Sequence, residues 1–285
     1  MNRLSLAVRT ARPSRRWERR WSLRGGHLSI ASAAAVTVLA LLGPMLAPHD
    51  PLERAGESFT RPGRDFWFGT DDVGRDILSR VLNGVRTTWL AAVAVVLLGV
   101  LIGGAVGLVA GAGGGRVDRV LMAVTDLFLA LPAPLLAIAT VAALGPSLQS
   151  TLIALSIVWW PYYARLARAE VRIQATRPHV EAARLTGIGR IRLGVRHLLP
   201  GAVPTVLVAA TLDVSVVILT LASLSFLGLG APAPSPELGA MAARGASTVL
   251  DAWWIATVPS VVVLVLGLVA ALAGDATRDL VGARR

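Results

Sequence analysis

The sequence predicts an all-α membrane protein with six transmembrane helices and with both termini in the cytoplasm. Hydrophobic residues make up 54% of the 285 residues, and the mean hydropathy is +0.65. Only 16% of the residues are charged, against about 25% in soluble domains. The apolar residues gather into blocks of about 20, the length that a helix needs to cross the hydrocarbon core. Arginine concentrates in segments separated by an even number of these blocks, which indicates one shared cytoplasmic side.

The apolar blocks divide the chain into a transmembrane domain, residues 28–273, and two cytoplasmic tails, residues 1–27 and 274–285. The first tail holds eight arginines and one acid. We expect it to be retained rather than cleaved as a signal peptide, because no clear small-residue cleavage site precedes the next polar region. The predicted spans are residues 28–47, 87–111, 120–144, 148–164, 201–227 and 252–273.

Two spans carry residues that change how a helix packs. Gly99, Gly103 and Gly107 recur every four residues, so they share one helix face and allow a second helix to approach closely. Pro132 and Pro134 interrupt the third span. Proline lacks an amide donor and is expected to kink the helix there.

Two longer loops, residues 49–86 and 228–251, are predicted to lie outside, because the first has nearly balanced charge. Its acidic, turn-prone stretch is expected to cap a pathway or to contact an outer partner protein. A calcium loop is disfavoured, since the ligand spacing of an EF-hand and its final glutamate are missing, and no metal site is predicted. The candidate contact residues are Asp71, Asp72, Arg75 and Asp76.

The composition also excludes several kinds of site. The chain contains no cysteine, so neither disulfides nor thiolate metal sites are available. Every residue of the Lys+Arg total is arginine, which rules out a P-loop, whose lysine contacts the phosphates. If ATP drives this protein, another chain must bind it, and no cofactor is expected here.

The cytoplasmic loop at residues 165–200 is predicted to form two short helices joined by a glycine turn. Thr176 is expected to cap the first helix, with Pro178 in its first turn. Glu181 follows in the N-terminal half, where the helix dipole favours an acid.

Ala182 and Ala183 keep one surface of the first helix thin, so that another protein can approach it closely. Gly187 suits a left-handed position that stops this helix. Pro200 is expected to end the second helix and to direct the chain back into the membrane. The predicted apolar face of the second helix consists of Ile188, Ile191, Val195 and Leu198.

Two other interpretations of this loop are weaker. A DNA-binding helix-turn-helix also joins two helices by a glycine turn, but a short loop tethered to spans at both ends could hardly reach a major groove, so no nucleic-acid partner is expected. Ordinary positive-inside charge explains the arginines. It does not explain the spacing of the alanines, the glycine and the Leu-Pro pair.

Residues 181–200 resemble the EAA motif of ABC importer permeases, which reads Glu-Ala-Ala, three residues, Gly, nine residues, an apolar residue, any residue and Leu-Pro. His197 stands where the motif has an apolar residue. Residues 68–76, 129–132, 144–147 and 223–230 are similar to the C-type permease subunit of dipeptide, oligopeptide and nickel importers. The matching EAA residues are Glu181, Ala182, Ala183, Gly187, Leu199 and Pro200.

This resemblance implies a type I ABC importer permease fold with a cytoplasmic coupling helix, in the plasma (inner) membrane of a bacterium. It implies a heterodimer with a homologous second permease subunit, two ABC ATPase subunits that bind ATP and Mg²⁺, and an extracytoplasmic peptide-binding protein. The six EAA residues are then expected to couple the spans to an ATPase, with Glu181 paired to a basic group. The chain itself is a transport subunit rather than an enzyme.

Two carboxylates inside spans are further candidates, because intramembrane acids are costly. Asp213 lies near the midplane and either faces the pathway, where it would attract a peptide's amino group, or bonds to a neighbouring helix. Asp126 is nearer the cytoplasm, and a structural role is favoured. A self-sufficient ion-coupled carrier using both acids is the competing interpretation. Dipeptides, longer peptides, nickel complexes and haem all remain open as cargo.

Overall fold

The computed structural model describes residues 15–282, with side-chain environments from His27 onward. Residues 1–14 of the predicted basic tail, and residues 283–285, lie outside the described residues. Within the described part, ten α-helices and one turn of π-helix follow one another. They are α1 Arg15–Leu46, α2 Ile77–Gly113, α3 Gly115–Ala130, α4 Ala133–Leu144, α5 Leu148–Ala175, α6 Pro178–Leu185, α7 Arg190–Leu193, the π-helical turn Gly194–Leu198, α8 Leu199–Phe226, α9 Leu238–Ala246 and α10 Trp253–Gly282.

Four helical stretches are long and apolar enough to cross a membrane, and α3 with α4 makes a fifth if this bent pair counts as one span. The prediction of an all-α membrane protein is therefore confirmed for the described residues. α5 is long enough but less apolar, and it does not meet the same test. The four stretches are His27–Leu46, Ile77–Gly113, Arg190–Phe226 and Trp253–Gly282.

The observed helices extend beyond the predicted spans, because hydropathy reports only the apolar part of a helix. α1 begins within the predicted tail, α2 begins within the predicted outer loop, and α10 continues to Gly282 through most of the predicted C-terminal tail. The outer loop at residues 228–251 is not purely irregular, since it contains α9.

The third predicted span is two helices that meet at 89° rather than one kinked helix. Leu131 has φ −85° and ψ 137°, and Pro132 has φ −59° and ψ 119°. A residue that precedes proline is pushed out of the helical region, and Leu131 precedes Pro132. Two successive extended residues therefore turn the chain through a right angle.

The predicted glycine stripe packs α2 closely against α5. A Cβ added to Gly103 would lie 2.2 Å from the carbonyl oxygen of Trp160, and one added to Gly107 would lie 2.4 Å from that of Ala164. The backbones are thus in direct contact, as small residues allow. Because the contacted residue numbers rise along both helices, α2 and α5 run parallel.

The main core lies where α2, α5, α8 and α10 meet. Val95, Leu155 and Ile218 are fully buried there. A second, smaller core lies at the end of the bundle that carries the loop at residues 165–200, around Val171 and Leu198. The loop therefore rests on the bundle through its own apolar cluster.

Candidate functional site

The predicted coupling helix is α6, but it begins one residue later than expected. Thr176 closes the C-terminus of α5, and its hydroxyl donates to the carbonyl of Ile173 at 2.9 Å. Arg177 precedes the helix with φ −76° and ψ 142°. Because Arg177 precedes Pro178, the extended conformation is imposed on it, and Thr176 cannot cap α6 as predicted.

Gly187 ends this helix in the left-handed conformation that the sequence predicts. Its φ is +77°, and its amide donates to the carbonyl of Arg184 at 3.0 Å. A Cβ added there would meet no atom within 4 Å. The requirement for glycine therefore comes from the backbone conformation and not from lack of space.

The second half of the segment does not end at Pro200. Arg190–Phe226 is one helical stretch, in which Pro200 lies in the first turn of α8. The amide of Leu199 bonds to the carbonyl of Gly194, one residue further back than in an α-helix. A proline inside a helix clashes with the carbonyl four residues earlier, and this wider turn gives Pro200 room without breaking the helix.

The π-helical turn also changes which residues face the bundle. Leu193 and Leu198 are buried, five positions apart, whereas Ile191 is 85% exposed and Val195 is exposed. The predicted apolar face is therefore wrong for Ile191 and Val195, because it assumed a regular α-helical period.

α6 rests on the bundle through one face only. Val180 is fully buried and Ala183 is 7% exposed, and both belong to the smaller core. Ala183 thus differs from the expectation that both alanines lie on the outer surface. Its small side chain lets α6 approach its own bundle closely, while Ala182 stays exposed.

The opposite face of α6 is exposed, as is Ile191 in α7. We call Glu181, Ala182, Leu185 and Ile191 the docking face, as the candidate surface for a partner. Leu185 is 86% exposed, although it is a large apolar side chain. Ile191 also lines an open concavity of about 990 Å³, together with Gly187, Ile188 and Arg190, among others.

The charge around the docking face is strongly positive. One acid, Glu181, is exposed among several exposed arginines. A partner surface that covers it would need carboxylates to balance them. The exposed arginines are Arg177, Arg184, Arg190, Arg192 and Arg196.

A polar bond fixes the base of this segment. Gln174 is 2% exposed, and its amide nitrogen donates to the carbonyl of Gly201 at 3.1 Å. This bond joins the end of α5 to the start of α8 on either side of the loop. The coupling segment is therefore held at both of its ends.

Of the predicted outer contact residues, three are buried and one is exposed. Asp71 accepts from the amide of Arg75 at 2.9 Å and from its Nε at 2.7 Å. Asp76 caps α2 by accepting from the amide of Ser79 at 3.0 Å. These side chains fold the loop, and Asp72 alone of the four remains exposed to a partner.

Sequence reasoning missed Arg80 and Glu237. Arg80 is 1% exposed and donates to the carbonyls of Pro51 at 2.7 Å and Pro234 at 3.2 Å, so it joins the two outer loops. The sequence feature that could have identified Arg80 is a charged residue in the first turn of α2, which begins with the apolar residue Ile77. Glu237 is fully buried and caps α9. Glutamate is not among the preferred capping residues, so no signal pointed to it.

A third guanidinium lies close to this outer network. Arg244 on α9 donates to the carbonyl of Ser235 at 3.3 Å. Burial lowers its pKa from the ordinary value, and the positive charge of Arg75 lowers the pKa further. Trp254 completes the network by donating from Nε1 to the carbonyl of Thr70 at 3.1 Å.

The two intramembrane acids each bond to α5. The carboxylate of Asp213 accepts from the hydroxyl of Tyr163 at 2.6 Å, and Tyr163 is fully buried. Asp126 pairs with Arg165 at 2.5 Å, and both of these side chains are 57% exposed.

Asp118 forms a further ion-pair cluster that sequence reasoning also missed. It accepts from Nε and, at 2.8 Å, from the second guanidinium nitrogen of Arg168, and it also accepts from Arg172. Asp118 was overlooked because the sequence predicts a short polar loop between the second and third spans, whereas the residue lies in the first turn of α3. Across residues 27–282, no group of three or more metal-binding side chains could hold an ion.

The family model described as "Binding-protein-dependent transport system inner membrane component" matches residues 103–281, which is more than half of the chain and includes the whole coupling segment. The chain belongs to this family. It is the membrane-spanning subunit of an ABC importer, a multi-pass protein of the bacterial plasma membrane, and the ATPase of such importers is a separate subunit.

Relatives and solved structures agree with this assignment. The probable D,D-dipeptide transport system permease protein DdpC of Escherichia coli (strain K12) is 40% identical, over 91% of this chain and 89% of that protein. The nickel transport system permease protein NikC of the same organism is 36% identical, over 91% of this chain and 93% of that protein. The inward-facing MetNI methionine ABC transporter shares the fold with a TM-score of 0.58 at 20% identity, over 72% of this chain and 95% of that chain.

Proposed function

We propose that this permease carries dipeptides or oligopeptides, as a heterodimer with a homologous second permease subunit. Two ATPase subunits, which bind ATP and Mg²⁺, and an extracytoplasmic peptide-binding protein complete the importer. The names of the similar proteins support the cargo, since the di/tripeptide permease DppC of Pseudomonas aeruginosa (strain UCBPP-PA14) is also 39% identical. The single observation that carries the proposal is the exposed docking face on a segment with the EAA pattern.

In this proposal the docking face inserts into a groove of one ATPase. Leu185 and Ile191 are 86% and 85% exposed, and burying such side chains favours association by about 1.5–3 kcal/mol each. Glu181 meets a basic group, and carboxylates of the partner meet the surrounding arginines. Ala182 and Gly187 leave room for close approach, while Ala183, Leu199 and Pro200 hold the segment on the spans.

Six spans with both termini inside follow if the bent pair of α3 and α4 crosses the membrane once and α5 also crosses it. α5 runs parallel to α2 and contacts it from Gly99 to Gly111, and α2 is long and apolar enough to span. A helix that accompanies a spanning helix over this length crosses the same layer.

The outer and intramembrane residues take narrower roles than the sequence suggested. Asp72 remains the candidate contact for the binding protein, while Asp71, Arg75 and Asp76 shape the loop that presents it. The bond between Asp213 and Tyr163 supports a structural link between α8 and α5. The pair of Asp126 and Arg165 likewise supports a link between α3 and α5.

Transport by the assembled complex tests the cargo and the energy source together. In vesicles with clamped ATP and a collapsed proton gradient, uptake of a labelled dipeptide should continue and should be inhibited by unlabelled dipeptide. Uptake that needs the gradient and not ATP would instead indicate an ion-coupled carrier. Inhibition by a nickel complex but not by peptides would overturn the peptide cargo.

The topology can be tested separately because the chain contains no cysteine. Single cysteines replacing Arg184 and Leu250 should react with a membrane-impermeant thiol reagent from opposite sides. Arg184→Cys should react only in inside-out vesicles, and Leu250→Cys only in right-side-out vesicles. Reaction of both from one side would contradict the proposed six spans.

A further inference from the structure

α3 contacts α5 through few side chains. Of its residues, Asp118, Met122 and Thr125 are buried. The hydroxyl of Thr125 bonds back to the carbonyl of Leu121 in α3 itself. Asp118 is therefore the one of these three whose polar bonds reach another helix.

Three ion pairs join α3 to α5, two at Asp118 and one at Asp126, and the two sites differ in burial. The side chain of Asp118 is 10% exposed and that of Arg168 is 25% exposed. Arg168 holds both carboxylate oxygens, which is the strong, geometrically specific form of the ion pair. Asp126 and Arg165 are 57% exposed each, and exposed pairs contribute little.

The Asp118 cluster lies next to the segment that the proposed function uses. Arg172, which also bonds to Asp118, lies in the last turn of α5, immediately before the coupling segment. At its other end α3 stops at the right-angle break that contains Leu131 and Pro132. The cluster is thus the less exposed of the two polar connections between α3 and the helix that leads into α6.

We propose that Asp118 is a positioning residue that locks α3 to α5, so that both helices move as one body with the coupling segment. α4 already packs on α5 through the apolar core, where Ala137 and Val141 are 1% and 0% exposed. α3 is therefore the half of the bent pair that depends on a polar lock to follow α5. This inference rests on the proposed function, because the motion it transmits is driven by the ATPase.

Matched variants on the same two helices test the lock. Asp118→Asn should reduce the amount of peptide taken up per ATP hydrolysed by about five-fold or more, the lower range of allosteric coupling. ATP hydrolysis itself should persist, because the docking face is unchanged. Asp126→Asn, which weakens the exposed pair, should leave the ratio unchanged. Equal ratios for both variants would overturn the proposal, whereas absence of ATP-driven uptake by the unmodified complex would refute the proposed function instead.

A second variant covers the case in which Asp118→Asn does not assemble. Arg168→Lys keeps the charge but cannot grip both carboxylate oxygens. It should lower the same ratio by a smaller factor, and a ratio equal to that of the unmodified complex would overturn the lock.

Spin labels attached to pairs of introduced cysteines measure the distances between helices directly. The other subunits of the complex must first be made free of cysteine. Labels at Val120→Cys and Ile173→Cys should keep their separation when ATP is added. This separation should change with ATP when Asp118→Asn is introduced. A separation that already changes without Asp118→Asn would overturn the proposal.

Discussion

The outer lobe, residues 49–80 and 232–246, and the coupling segment, residues 177–200, are both rich in arginine but use it in opposite ways. In the outer lobe Arg75 and Arg80 are 7% and 1% exposed and bond within the chain, although Arg54, Arg61 and Arg64 are exposed there. In the coupling segment all five arginines are exposed. The outer lobe thus has an internal arginine network, which the coupling segment lacks.

The two regions also differ in how they use apolar side chains. The outer lobe has an apolar core that includes Leu238 and Met241, although Trp67 is 72% exposed there, whereas Leu185 and Ile191 of the coupling segment are 86% and 85% exposed. A buried charge network needs all of its partners, since removing one leaves the others uncompensated. We therefore expect substitutions in the outer lobe to affect folding, and substitutions in the coupling segment to affect assembly and transport.

The largest expected effect is the loss of Arg80. Arg80→Ala removes the bonds to the carbonyls of Pro51 and Pro234 and should destabilise the purified chain by about 3–5 kcal/mol. Thermal unfolding followed by tryptophan fluorescence measures this loss. Arg184→Ala, in the coupling segment, is the control and should change stability by no more than about 0.5 kcal/mol. Equal losses would remove the contrast between the two regions.

The next effect concerns docking rather than folding. Leu185→Ser should leave thermal unfolding unchanged but weaken ATPase binding by about 2 kcal/mol, or about 30-fold in Kd. Titration of the ATPase into the reconstituted permease measures this. Leu250, in the outer loop, is 95% exposed and provides the matched control. If Leu250→Ser weakened ATPase binding as much as Leu185→Ser, the loss would not depend on the docking face, and the prediction would be wrong.

A smaller effect is expected at the turn of the coupling segment. Gly187→Val forces a β-branched residue into the left-handed region, which costs about 1–3 kcal/mol, and it should uncouple ATP hydrolysis from uptake. Gly189 also meets no atom within 4 Å but has φ −62°. Gly189→Val should therefore retain coupling, and loss of coupling in both variants would show that bulk, not backbone conformation, matters.

The smallest effect compares two acids of the outer lobe. Asp76→Ala removes the cap of α2 and should lower stability by about 1 kcal/mol. Asp72→Ala should leave stability unchanged but reduce stimulation of the ATPase by the binding protein, if Asp72 is the contact. Unfolding curves and ATPase assays on both variants separate the two roles, and the reverse pattern would contradict them.

The sequence by itself determined the features that depend on local chemistry or on regular spacing. These include the apolar helices, the left-handed turn at Gly187, the glycine stripe on α2 and the family resemblance of residues 181–200. Each follows from neighbouring residues, since backbone sterics and helical periodicity act over a few positions. The comparisons with known proteins confirm the family, and the helix packing confirms the close approach at the stripe.

Only the tertiary structure decided which side of an element meets which partner. It placed Ala183 inward, carried the helix through Pro200 and turned the third span through 89°. It also paired Arg80 with a carbonyl 154 residues away and Asp118 with an arginine 50 residues away. The physical reason is that burial and ion pairing depend on which distant segments pack together. A local pattern in a single sequence does not contain that information.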